Sequence, residues 1–283
     1  MATSSLSAGR RSAPAELVLV RHGESVGNLA DAQARSHGLG RLQVDTRDAD
    51  TPLSENGVRQ AQALGRHLAG LPRSERPEVV LGSPYVRAAS TAEHVLDALG
   101  DSHRLVRDER LRERDLGAFD GMTGHGIREA FPEEADRRTT MGKFYYRPPG
   151  GESWTDVALR VRSALADIRA EHGGQRVWVF SHQAVIMSFR YLIEGLDEQE
   201  LLRIDGESPM GNCAITRYRR GEEGALELVG YGDVAHLERS DKAETTHAEP
   251  AHAADTADTA DTADTADAAD PVAPVAPTGG HRG

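Results

Sequence analysis

A single cysteine, Cys213, is present in the 283-residue chain, which excludes an internal disulfide. A chain of this size without disulfides fits a reducing compartment, and the expected location is the cytoplasm. Cys213 opens a strand-like stretch running to Tyr218 and reads as a small buried apolar residue. No apolar stretch approaches the roughly 20 residues of a membrane-spanning helix, so no membrane partner is expected. The first fourteen residues are rich in Ser, Ala and Arg and lack the apolar core of a secretory signal. They read as a disordered N-terminus. The histidines show no ligand spacing such as His-x-x-x-His, and no cysteine pair exists. No metal and no cofactor is expected.

Positive charge is also scarce. Lys and Arg number 33 against 45 Asp and Glu, a formal net charge of −12. A nucleic-acid partner is therefore not expected, because a phosphate backbone demands a basic surface. Nine of the acids and only three bases lie between Arg239 and Gly283, so the tail carries half of the net charge. Aromatic residues are absent from that tail, and residues 255–266 repeat Asp-Thr-Ala four times. A period of three matches neither helix nor strand, and such a segment buries too little surface to offset its ordering entropy. Residues 239–283 read as a disordered, acidic, low-complexity tail.

What is present is an alternation of strands and helices. Apolar runs place strands at 16–21, 77–82, 104–107, 176–181, 213–219 and 226–231. Ser54 caps a helix with Val58, Ala61, Leu64 and Leu68 at helical spacing. Residues 87–99 form a second helix. Ser153 caps a third, with Val157, Val161, Leu165 and Ile168 on one face and Gly173-Gly174 as its stop. Residues 183–195 form a fourth, apolar enough to be buried. This order predicts an α/β three-layer sandwich, its mainly parallel sheet covered by helices on both faces. One domain, 15–238, accounts for it, and 38% hydrophobic content supplies its core. Residues 108–152 hold Gly, Pro and aromatics with little periodicity and read as an excursion over the strand ends, suited to a lid.

Residues 20–28 read Val-Arg-His-Gly-Glu-Ser-Val-Gly-Asn after the apolar run 16–20. A strand ending in Gly leaves Arg21 and His22 at the carboxyl edge of a sheet, where α/β folds place ligands. Arg offers a planar donor fork to a phosphate, Gly lets the backbone approach, and the imidazole is a possible nucleophile. Taken alone, the plainer reading is a strand end with one satisfied histidine. Four further motifs bear on the choice. They are Ser-Pro-Tyr-Val-Arg-Ala-Ala-Ser-Thr at 83–91, Leu-Arg-Glu-Arg-Asp-Leu-Gly-Ala-Phe-Asp-Gly at 111–121, Pro-Pro-Gly-Gly-Glu-Ser at 148–153 and Val-Trp-Val-Phe-Ser-His-Gln-Ala-Val at 177–185.

Together these motifs resemble the histidine phosphatase, or phosphoglycerate-mutase-like, superfamily, from about Glu16 to Tyr218. The resemblance implies a phosphoglycerate-mutase-like fold and a metal-independent phosphomonoesterase acting on a small phosphorylated metabolite. His22 would attack phosphorus and carry it as phosphohistidine, splitting one hard step into two. Arg21 and Arg87 would clamp the phosphate with Asn28 as a further donor. His182 would donate to the transferring oxygens, and Glu113 would protonate the leaving group. The stretches around Arg138, Lys143, Trp154 and Gln183 are similar to the fructose-2,6-bisphosphatase branch. There the matching residues hold a second phosphate and a sugar, which implies a sugar phosphate or bisphosphate substrate. Trp154 replaces a tyrosine of that branch, Met187 an arginine and Gly124 a further tyrosine. The mutase branch carries Trp-Asn where this chain has Gly27-Asn28. Phosphoglycerate mutase activity is one alternative, and a catalytically weak binding protein another. Oligomeric state is left open.

Overall fold

The computed structural model describes residues 13–100 and 103–238. The chain begins with β1 (Glu16–Arg21), α1 (Val26–Ser36), α2 (Glu55–Ala69), β2 (Val79–Gly82), α3 (Val86–Leu99) and β3 (Leu105–Arg107). Then come α4 (Gly124–Ala130), α5 (Pro132–Met141), α6 (Trp154–Glu171), β4 (Arg176–Ser181), α7 (Gln183–Glu194) and α8 (Glu198–Glu207). It closes with β5 (Ile215–Arg220), β6 (Leu226–Asp233) and α9 (Ala235–Glu238). The strands form one sheet in the order β3-β2-β4-β1-β5-β6. β1, β4, β2 and β3 pair in parallel, and β5 runs antiparallel to both β1 and β6. Among the described strands only β5 is reversed, so the sheet is mainly parallel.

Alternation along each strand explains why both faces are covered. Leu17 and Leu19 join Val157, Val161, Val185 and Phe189 in the core beneath α6 and α7. Val18 and Val20 point the other way, into the core that α2 and α3 close with Leu64, Leu68 and Val95. All four β1 side chains are fully buried. Each contributes about 1.5–3 kcal/mol relative to exposure. Ser54 and Ser153 cap α2 and α6, accepting from the N–H groups of Gly57 and Asp156.

Three features differ from the sequence expectation. α1 escapes a periodicity search because it buries only Ala30 and Ala34, so no apolar stripe marks it. The excursion 108–152 contains α4 and α5, and α5 buries none of its residues. Cys213 precedes β5 instead of lying in it. It sits at φ 55°, in the left-handed region, and its N–H donates to the His22 carbonyl at 3.1 Å. Burial pushes its thiol up to about 12. At the N-terminus, Ala13 packs beside Leu17 and its carbonyl accepts from the Gly174 N–H at 3.2 Å. The folded body thus begins before residue 15. The rest of the N-terminal segment, and the tail 239–283, lie outside the described residues. No described helix is long and apolar enough to cross a membrane.

α9 returns against α2 and buries His236, whose ring lies 6.0 Å from that of His67. Burial, and then the neighbouring His67, push the His236 pKa down from 6.5 to about 4, with Asp233 opposing. The unfolded chain therefore binds the extra proton first as pH falls. Stability from neutral His236 is complete above about pH 6.5 and is lost as pH falls toward 4. The melting temperature of the natural chain is expected to drop across this window more steeply than that of a His236→Phe variant. Parallel slopes in a pH series of thermal melts would assign the titration to another group.

Candidate active site

Parallel pairing of β1 and β4 puts Arg21 opposite Ser181. The residues that follow, His22 and His182, therefore leave the same sheet edge side by side. Their ring centroids are 5.2 Å apart, tilted by 58°. β2 ends at Gly82 on the same edge, and the next residue, Ser83, meets His182 Nε2 with its Oγ at 2.8 Å. Three motifs distant in sequence thus converge because three parallel strands end in register.

His22 Nδ1 donates to the Gly23 carbonyl at 2.7 Å. A carbonyl only accepts, so in the neutral ring the proton sits on Nδ1 and Nε2 carries the lone pair. That is the protonation state an imidazole nucleophile requires. Gly23 is demanded by packing, because a Cβ there would lie 2.6 Å from the Gly57 carbonyl oxygen. Its N–H donates to Thr91 Oγ1 at 2.9 Å, and the Thr91 hydroxyl donates to the Arg87 carbonyl at 2.6 Å. Thr91 so ties α3 to the loop that carries His22.

Arg21, His22, Asn28, Arg87 and Gln183 line a cavity of about 420 Å³. Arg21 Nη1 donates to the Met210 carbonyl. Arg87 is buried, and its guanidinium meets Asp48, with Nη1 2.9 Å from Oδ1. Asn28 Oδ1 accepts from the Ser25 N–H at 3.0 Å and from Asn212 Nδ2 at 3.4 Å. These donors commit its carbonyl end, so the amide N–H pair is the end left for a ligand.

Glu113 lies beside His182 and is 2% exposed, and neither of the two residues lines the cavity. Its Oε1 accepts from the Arg114 N–H at 2.8 Å, and its Oε2 lies 3.9 Å from His182 Nδ1. The segment that carries it is strapped from below. Ser181 Oγ donates to the Leu111 carbonyl at 2.8 Å, and Arg160 donates to the carbonyls of Arg110 and Glu113 at 2.6 and 3.1 Å. Glu152 pairs with both Arg160 and Arg112, at 2.9 and 2.7 Å. The motif at 148–153 therefore positions the Glu113 segment and caps α6 through Ser153.

Arg138, Lys143 and Trp154 do not line the cavity. The resemblance implies that they hold a second phosphate together with Gln183. Lys143 Nζ instead lies 3.2 Å from Asp205 Oδ2, and that carboxylate is fully buried. A buried carboxylate left without a cation is costly, so Asp205 holds Lys143 in place. Arg138 belongs to α5, the helix that buries none of its residues. Trp154 is 2% exposed and packs beneath the Arg114 guanidinium, 5.7 Å away. Gln183 remains at the cavity and donates from Nε2 to Asp205 Oδ1 at 2.8 Å.

Sequence reasoning missed Asp48, Tyr85, Arg41 and Arg114, which all line the cavity. Tyr85 meets the His182 ring edge-on at 5.4 Å, and burial followed by Asp48 raises its pKa. Tyr85 and Arg114 each carried a signal, lying within the motifs at 83–91 and 111–121. Asp48 and Arg41 lie between α1 and α2, in a stretch with no periodicity to read. Among the described residues no group of His, Cys, Asp and Glu is arranged to hold a metal ion.

Residues 17–234 match the histidine phosphatase superfamily, branch 1. The chain belongs to that superfamily and is a phosphatase-family enzyme. A 2,3-bisphosphoglycerate-dependent phosphoglycerate mutase of Mesorhizobium japonicum is 31% identical over 192 residues, 67% of this chain and 86% of the relative. The 6-phosphofructo-2-kinase/fructose-2,6-bisphosphatase of Caenorhabditis elegans is 33% identical over 61% of this chain, which spans 33% of that protein. Among solved structures, mycobacterial glucosyl-3-phosphoglycerate phosphatase superimposes with a TM-score of 0.60 at 26% identity. It covers 77% of this chain and 98% of its own.

Proposed function

We propose that the protein is a metal-independent phosphomonoesterase that hydrolyses a small phosphorylated metabolite through phosphohistidine on His22. The observation that carries this reading is His22 Nδ1 donating to the Gly23 carbonyl at 2.7 Å, which leaves Nε2 as the nucleophilic nitrogen. Arg21, Arg87 and Asn28 supply charge and N–H donors to the phosphate. His182 donates to its oxygens, and Glu113 protonates the departing alkoxide. A small phosphorylated substrate, with no nucleic acid and no membrane as partner, fits the acidic chain. The single buried cysteine supports a cytoplasmic location.

Charge favours a single phosphate. The cavity wall carries five arginines and four aspartates. A phosphate dianion already exceeds that small cationic surplus, and Lys143 is neutralised by Asp205. Gln183 supports a hydroxyl-bearing leaving group. Asp205, which pairs with Lys143 through Oδ2, accepts the amide N–H end of Gln183 at Oδ1. The buried Oε1 of Gln183 finds no donor among the described residues. A sugar phosphate or phosphorylated polyol can supply one.

Release of inorganic phosphate from p-nitrophenyl phosphate in EDTA tests the reaction. A panel of sugar monophosphates and bisphosphates tests the substrate. Monophosphates are expected to show kcat/KM at least tenfold higher, about 1.4 kcal/mol of transition-state binding. Higher kcat/KM for bisphosphates would restore the two-phosphate pocket. The mutase relative supports a second reading, checked with 3-phosphoglycerate plus 2,3-bisphosphoglycerate. Interconversion of phosphoglycerates faster than phosphate release would favour it.

A further inference from the structure

The loop between α1 and α2 reaches Arg87 through one residue. Arg87 Nη1 donates to the Asp48 carbonyl at 2.6 Å and lies 2.9 Å from Asp48 Oδ1. Nη2 donates to Asp48 Oδ2 at 3.1 Å. The Tyr85 ring stacks against the same guanidinium, 5.3 Å from ring centroid to Cζ. The Arg87 side chain is 4% exposed, whereas that of Asp48 is 37% exposed.

An arginine carries five N–H bonds in a fixed plane. Asp48 accepts one hydrogen bond from Nη1 and one from Nη2, and its Oδ1 pairs with Nη1 as an ion pair. Nε–H and the second Nη2–H, neither of which meets Asp48, lie parallel along one edge of the guanidinium. That edge is the bidentate fork that suits two oxygens of a phosphate. Asp48 therefore covers the end of the guanidinium that a phosphate does not need and leaves the useful edge open. A long side chain loses rotamer freedom when it binds, and fixing it beforehand removes that cost from binding.

We propose that Asp48 is a positioning residue that fixes Arg87 with its Nε–Nη2 edge toward the phosphate. The proposal rests on the phosphatase reading above, in which Arg87 binds the phosphoryl group. It makes a prediction opposite in sign to simple electrostatics. An aspartate beside an anion site repels the anion, so removing its charge alone tightens anion binding. Removing a brace loosens Arg87 and weakens anion binding.

The probe is inorganic phosphate as a competitive inhibitor of p-nitrophenyl phosphate hydrolysis. It is measured in the natural chain, Asp48→Ala, Asp48→Asn, Arg87→Ala and the double variant Asp48→Ala/Arg87→Ala. The inhibition constant is expected to rise about tenfold in Asp48→Ala and to rise in Asp48→Asn, which keeps the side-chain volume. In the Arg87→Ala background, Asp48→Ala is expected to add nothing, because its effect travels through the arginine. A fall in the inhibition constant in both single variants overturns the proposal, as does an equal added loss without Arg87. Should Asp48→Ala melt early, Asp48→Asn and its own double with Arg87→Ala decide. A separate outcome concerns the parent reading. If Arg87→Ala leaves the inhibition constant unchanged, Arg87 does not hold phosphate and that reading fails. If Arg87→Ala weakens inhibition and neither Asp48 variant does, only the role of Asp48 fails.

Discussion

His22→Ala is expected to cut phosphatase turnover by several orders of magnitude and to leave no acid-labile phosphoenzyme. The imidazole is the group proposed to form the bond to phosphorus, so its loss removes both halves of a two-step route. Arg21, Arg87 and Asn28 stay in place, and they bind ground state and transition state alike to a large extent. KM for p-nitrophenyl phosphate should therefore move far less than kcat. The fold has little reason to change, because the bonds that hold this loop come from backbone. The His22 carbonyl accepts from the Cys213 N–H at 3.1 Å, and the Gly23 N–H donates to Thr91 Oγ1 at 2.9 Å. A melting temperature near that of the natural chain, together with lost label in a rapid acid quench, is the expected pair. Label retained by the folded variant would move the nucleophile elsewhere.

Much of this site was legible in the sequence, for a specific reason. Arg21, His22 and His182 each follow an apolar β-branched run, and parallel strands deliver the residues after them to one edge. A strand end is a local signal, so each candidate was visible without knowing its partners. α2, α3, α6 and α7 were visible because each buries a continuous apolar stripe. α1 was not, since its stability rests on the Ser25–Asn28 capping box and two alanines. The pairing of Lys143 was hidden for a related reason. Lys143 offers the same letter whether it faces a ligand or a buried acid, and Asp205 lies far away on α8. Asp48 escaped for the same cause, because its partner Arg87 is reached only through the fold.

Glu113→Gln is expected to slow hydrolysis of alkyl phosphates by roughly 10²–10⁴ while barely affecting p-nitrophenyl phosphate. The substitution preserves shape and much of the bonding. The Arg114 N–H now donates to Glu113 Oε1 at 2.8 Å, and an amide carbonyl accepts that bond equally well. What is lost is the proton that the proposed general acid would carry on its other oxygen, Oε2, which lies 3.9 Å from His182 Nδ1. An alkoxide is a poor leaving group and needs that proton in the transition state. p-Nitrophenolate leaves without one, so its departure should be nearly indifferent to the change. The straps from Arg160 and Ser181 hold the backbone at Glu113 and just before it, so the amide should occupy the same place. Comparing kcat/KM for the two ester classes in one preparation removes any effect of partial unfolding, since both substrates see the same active fraction. A large loss confined to alkyl esters assigns Glu113 as the general acid. An equal loss for both would place Glu113 in phosphate binding, or make activation of the attacking water the slow step of turnover.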